Sequence, residues 1–319
     1  MRISKQILIQ FTVALSVLFA PCMAAQAVER FKPFVLAWRG TAVFATKVNE
    51  VKQSLEDAGF QIVANVAPYP EDAYLDDLRI LVFTSPQLKR FAARSPYGGF
   101  AAAQRVSISR LGDDIQVSYL NPTYTAHAYR LGSDLKEVTK QLASALGRIE
   151  TFGSEKGLTE QALRTYHYSF GMEYFDEPYE LANFSSYSQA VEQVETNLGR
   201  SADIGVEPVY RIDIPGRDVT VIGVTLRGEG EKRKYYDDHW IMDNVDFKEL
   251  HTTAYLPYEI MITGSRVIAL SMRFRMAVYH PDLTMKGQDS FMNIIPSPLA
   301  VKNALTAAVG GTATKHAGM

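Results

Sequence analysis

Apolar runs of strand length and apolar residues at helical spacing follow one another along this chain in an order that occurs twice. Residues 34–40 (FVLAWRG) form the first apolar run, after which Val48, Val51 and Leu55 recur at helical spacing until Gly59. Further strand-like runs follow at 60–67, 78–84, 104–110 and 114–120. The last two alternate, with Val106 and Ile108 on one face, and Gly112-Asp113 between them is a hairpin signal. Leu135, Val138, Leu142 and Leu146 predict a second helix over 135–149, so the unit reads β-α-β-β-β-β-α.

A polar, glycine-containing stretch at 153–157 then leads into the same order again. Residues 164–175, rich in Tyr and Phe, read as a strand, and 187–198 as a helix ended by Gly199. Strands are predicted at 207–214 and 218–226 around Pro215-Gly216, and at 258–263 and 266–279 around Gly264-Ser265, before a closing helix at 299–309. The fold class is therefore α+β with two similar units, residues 28–152 and 164–310, joined by a linker at 153–163 and followed by a small-residue tail at 311–319.

The first 27 residues have a different character. Arg2 and Lys5 precede an uncharged apolar stretch at 7–20, and Ala25 and Ala27 supply the small residues of a signal-peptidase site, so export to the periplasm with cleavage after Ala27 is expected. At about 14 residues that stretch is shorter than the roughly 20 a membrane span needs, and no later segment reaches that length without charge. Cys22 follows Pro21, which suits a lipidation site poorly. Removal of this segment would take with it the chain's one cysteine and leave 31 basic against 35 acidic residues, a net charge of −4. Disulfides and thiolate chemistry are then excluded, and a mildly acidic balance offers no general attraction to nucleic acid.

A helix such as VKQSLEDAGF (51–60), a strand and turn such as ILVFTSPQLKRFAA (80–93), and a Pro-Tyr before a hairpin in LPYEIMITGSRVIAL (256–270) together resemble the bacterial family called domain of unknown function 302. The resemblance covers residues 34–150 and, more loosely, 165–310, which suggests tandem copies. It implies an antiparallel curved sheet backed by two helices in each unit and carries no established chemistry or cofactor. The charged insertion at 228–238 departs from that pattern.

Candidate chemistry is sparse. Read as one long strand, residues 266–280 place Ile268, Leu270, Met272, Phe274, Met276 and Val278 on one face and Ser271, Arg273, Arg275 and Tyr279 on the other. Arg273 and Arg275, about 7 Å apart on such a face, could hold an anion by charge-assisted hydrogen bonds, with Tyr279 beside them; a solvated face or an ion-pair network would use the same residues. Of the histidines at 127, 167, 239, 251, 280 and 316, none has the i, i+4 spacing of a helical metal pair. A cluster of His239, His251 and His280 with Asp238 or Asp282 would need loops to bring them together. Tyr166, Tyr168, Tyr174, Tyr179 and Tyr187 could wall an aromatic ligand or pack against a sheet. Carboxylate pairs such as Asp76-Asp77 and Asp113-Asp114 suit turns, and the sequence contains no nucleophile elbow, phosphate loop or dinucleotide fingerprint. These features favour a non-enzymatic protein that binds a small anionic or aromatic ligand. The alternatives are a docking subunit that meets a periplasmic protein through a strand edge or the 228–238 insertion, and a metal-dependent hydrolase built on the three histidines.

Overall fold

Both glycine hairpins form as two-residue turns. In the computed structural model, which describes residues 28–69, 73–231, 233–287 and 289–312, Gly112 takes φ +59° between the paired Leu111 and Asp114, and Gly264 takes φ +56° between the paired Thr263 and Arg266. A glycine in the left-handed region at the first central position matches the twist of the strands it joins.

The first unit contains β1 (Phe34–Gly40), α1 (Phe44–Asp57), β2 (Gln61–Val66), β3 (Asp77–Thr84), α2 (Pro86–Ala92), β4 (Gln104–Leu111), β5 (Asp114–Leu120), α3 (Pro122–Ala128), α4 (Lys136–Leu146) and β6 (Glu150–Phe152). Its sheet runs β2-β3-β4-β5-β1-β6 with antiparallel neighbours throughout. The second unit contains β7 (Tyr179–Asn183), α6 (Tyr187–Leu198), β8 (Val206–Asp213), β9 (Val219–Leu226), α7 (Asp238–Asp243), β10 (Tyr258–Thr263), β11 (Arg266–Ala269), α8 (Met272–Tyr279) and α9 (Ser297–Ala308), and is preceded by α5 (Glu160–Arg164), which packs on α3. Its sheet runs β7-β11-β10-β9-β8, again antiparallel. Apart from β6, the connectivity is the same in both sheets. The strand that opens the unit lies beside the second strand of the glycine hairpin, and the strand after the first long helix lies at the far edge.

The predicted helical faces are the buried ones: Val48, Val51 and Leu55 on α1, Val138 and Leu142 on α4, and Ala190, Val194 and Leu198 on α6. Each large apolar side chain removed from water contributes on the order of 1.5–3 kcal/mol. The polar face of the first sheet departs from expectation. Arg105, Ser107 and Ser109 on β4 and Gln116 and Ser118 on β5 alternate with apolar residues yet are all buried. That face, which period-two alternation would give to solvent, is covered by the second unit. The turn Thr253–Tyr255 packs on β4 and β5, and Gln116 bonds to the backbone of Glu249 (2.9 Å) and His251 (3.1 Å).

One predicted strand is absent and another is cut short. Residues 164–175 complete α5 and then turn irregularly. Thr159 caps the Ala162 N–H, Glu160 pairs with Arg164 one turn on, and Gly171 adopts φ +79°. The aromatic residues that suggested a strand anchor the segment instead. The Tyr166 hydroxyl donates to the Ala277 carbonyl, and Phe175 stacks on Tyr129 at 5.2 Å. The predicted strand at 266–279 ends at Ala269, and helix α8 follows. On α8 every residue except Arg273 is buried, so apolar residues occupy all sides and the pattern cannot report a period.

Candidate functional site

Helix α8 determines where the predicted anion-binding residues fall. Two positions on a helix are about 200° apart, so Arg273 and Arg275 point to opposite sides and share no face. They serve two different sites.

Arg275 and Tyr279 enter the contact between the units. The Arg275 guanidinium carbon lies 3.9 Å over the Tyr255 ring and 4.5 Å over the Tyr258 ring, and its Nη2 donates to the carbonyls of Tyr255 and of Pro257 (2.7 Å). The Tyr279 hydroxyl meets Thr125 Oγ1 of α3 at 3.0 Å, and Tyr124 donates to the Val278 carbonyl. Arg105 of β4 reaches across to Glu259 of β10, Nη2 to Oε2 at 2.6 Å, with each side chain only 2% exposed. Tyr210 donates to the other oxygen of Glu259 at 2.5 Å, and burial holds the Tyr210 phenol well above its usual range. This buried ion pair joins a strand of one sheet to a strand of the other.

Arg273 faces outward. Its Nε and Nη2 both bond the Glu173 carboxylate, leaving Nη1 without a hydrogen-bond partner among the described residues. It stands beside a pocket of about 230 Å³ walled by Met172, Met272, Met276 and Met285, together with Phe291 and Ile295. Met272 and Met276 share one side of α8 through their i, i+4 spacing, and Met172 comes from the irregular segment after α5. Unbranched, polarisable methionines adapt to varied apolar shapes. Met285 is 48% exposed at this surface.

The three candidate metal histidines lie around a hydrogen-bonded network centred on Asp246, but only His280 is bonded into it. That carboxylate is fully buried, with Oδ1 accepting from the Thr252 N–H (2.6 Å) and hydroxyl (2.8 Å) and Oδ2 from the Tyr74 hydroxyl (2.7 Å). His280 Nε2 meets Thr252 Oγ1 at 3.0 Å, His251 Nδ1 lies 3.5 Å from Asp246 Oδ2, and His239 stacks on Tyr74. Burial pushes the His280 imidazole down to about 4, so it is neutral at physiological pH. The expected carboxylates are used elsewhere. Asp238 accepts from the Leu226 N–H and Asp282 from the Glu155 N–H. Among the described residues no group of three His, Cys, Asp or Glu side chains is arranged to hold a metal ion. His316 lies outside the described residues. Part of the 228–238 insertion is folded back: Tyr236 is buried and donates to the Ile204 carbonyl, and Asp237 accepts from the N–H groups of Gly228 and Trp240.

Sequence reasoning did not find Arg105, Glu259, Asp246 or the methionine wall. A charged residue inside each of two apolar strands was the one available signal for the ion pair. No family model matches the chain. No curated protein matches it. Among solved structures the chain is similar to the crystal structure of uncharacterized conserved protein DUF302 from Bacillus stearothermophilus, at 13% identity and a TM-score of 0.32, over 37% of this chain and 98% of that one.

Proposed function

We propose that this is a periplasmic, non-enzymatic binding protein, built from two units of the domain-302 type, that takes a small amphipathic anion into the methionine-walled pocket beside Arg273. The single observation behind this reading is that pocket, where an apolar cleft of about 230 Å³ opens next to a guanidinium with an unused N–H group. An aromatic or aliphatic body would displace water from the thioether wall while its carboxylate or sulfonate shares Arg273 with Glu173. The two-unit organisation is supported by the common strand order of the two sheets.

The test uses 8-anilinonaphthalene-1-sulfonate, an aromatic sulfonate, with the full chain lacking residues 1–27. Saturable fluorescence enhancement is expected, weakened about fivefold by Arg273→Gln, which corresponds to about 1 kcal/mol for a half-exposed charged contact. Met276→Glu should abolish it. Enhancement that is unsaturable, or indifferent to both substitutions, refutes the reading.

A further inference from the structure

The contact between the two units buries two arginines beside one paired carboxylate, Glu259. Arg105 and Arg275 are both fully buried, and arginine cannot shed its proton. Glu259 neutralises Arg105. Arg275 has two carbonyls and two aromatic faces, which accept its hydrogen bonds and soften its field but carry no full charge. Of the other buried carboxyls, Asp246 is taken up by Thr252 and Tyr74, and burial pushes Asp238 up to about 7, which weakens it as a counter-charge near neutral pH. Unused donors gather in the same place. Arg105 Nε and Arg275 Nη1 are buried without a hydrogen-bond partner among the described residues, and the buried hydroxyls of Tyr129 and Tyr255 have only poorly aligned partners in Tyr279 and Arg275. Tyr129 and Tyr279 lie near both guanidiniums, which ties these donors into one cluster. An uncompensated buried charge with orphaned N–H and O–H groups is among the most expensive arrangements in a protein interior.

We infer that this cluster binds a small inorganic anion of the halide class, chloride in a saline medium, between Arg105 and Arg275. The chemistry of the donors selects the class. Guanidinium and phenol groups supply hydrogens to an acceptor, and two positive charges favour a negative one. The aromatic walls of Tyr129, Tyr255 and Tyr279 are almost fully buried, so they suit a compact ion and exclude one with a hydrocarbon body. The ion belongs to the folded, closed arrangement of the two units and is a separate matter from the ligand proposed at Arg273.

Because binding to the folded state raises stability by mass action, the effect is read in thermal unfolding of the chain lacking residues 1–27 at fixed ionic strength. The melting midpoint is expected to rise and then saturate as sodium chloride replaces sodium gluconate, whose anion is too large for the site. Crystals grown in bromide should show an anomalous peak between Arg105 and Arg275. Tyr129→Phe removes one donor and keeps the ring, and it should weaken the chloride midpoint effect several-fold while leaving unfolding in gluconate cooperative. Equal midpoints in the two salts, a chloride effect untouched by Tyr129→Phe, or ordered water alone at the cluster would each overturn the inference.

Discussion

Replacing Glu259 by Gln tests whether the Arg105–Glu259 pair joins the two units energetically. The amide has nearly the volume of the carboxylate, so no cavity is created and the change is confined to charge. In the variant Arg105 keeps its full charge in a site only 2% exposed, with its nearest counter-charge gone, and Tyr210 loses an ionised acceptor for its hydroxyl. Stripping one partner from a buried pair costs about 3–5 kcal/mol, since the remaining charge stays desolvated. For a chain of this size that corresponds to a fall in melting midpoint on the order of 10 °C. Equilibrium denaturation by urea, followed by circular dichroism, measures it, and the companion variants Arg105→Met and Arg105→Met/Glu259→Gln complete a double-mutant cycle. The double variant should recover much of the loss, because no charge is then buried alone. A cost below about 1 kcal/mol for Glu259→Gln, or strict additivity in the cycle, would refute the sealed pair; water would then reach the guanidinium.

Two further predictions concern other parts of the fold. The folded-state value of about 4 for His280, against an unfolded value of 6.5, means that the unfolded chain binds the extra proton first. Its contribution to stability is complete above pH 6.5 and is lost as pH falls toward 4, by about 3 kcal/mol in all. Asp238, raised to about 7, has the opposite sign, contributing fully below pH 4 and losing its contribution as pH rises through 7. Denaturant titrations of His280→Gln and Asp238→Asn across pH 4–8 should remove one slope each, and a variant with the parent slope would show that its group titrates normally. A methyl group added at Gly223 would meet the Tyr210 ring at 2.0 Å, so Gly223→Ala should cost about 1–3 kcal/mol in the same assay and fail to add to Glu259→Gln, since both act through Tyr210; full additivity would contradict this coupling.

Local features were legible in the chain. The spacing of Val48, Val51 and Leu55, the two glycine hairpins and the closing helix with its buried Val301 and Leu305 all fall where the pattern placed them. What the pattern misplaced depends on contacts made far along the chain. Residues 272–279 alternate as a strand would, because Met272, Phe274, Met276 and Val278 are apolar, but burial of every residue of the helix except Arg273 leaves no polar face to report its period. The alternation placed Val106 and Ile108 on one face, and nothing local announces that residues 249–255 will cover the other, which carries Ser107, Ser109 and Gln116. The Asp246 network draws Tyr74, Thr252 and His280 from three separated segments, so spacing carried no trace of it. His239, His251 and His280 come together around Asp246 without a metal-holding arrangement among the described residues, and the carboxylates expected beside them, Asp238 and Asp282, accept backbone N–H groups instead.

Strand β1 begins at Phe34 yet lies between β5 and β6, paired with Leu120 on one side and Phe152 on the other. During synthesis Phe34 has no partner until 86 residues more have been made, and its second neighbour arrives after 118. Such distant pairings make chain closure, rather than helix formation, the slow event in folding. The nascent first unit therefore has its helix α1 and the β2–β3 pair available early, while its opening strand waits. An apolar strand kept waiting in this way is open to competing partners, and refolding yield should fall with protein concentration more steeply than the stability of the finished fold would suggest.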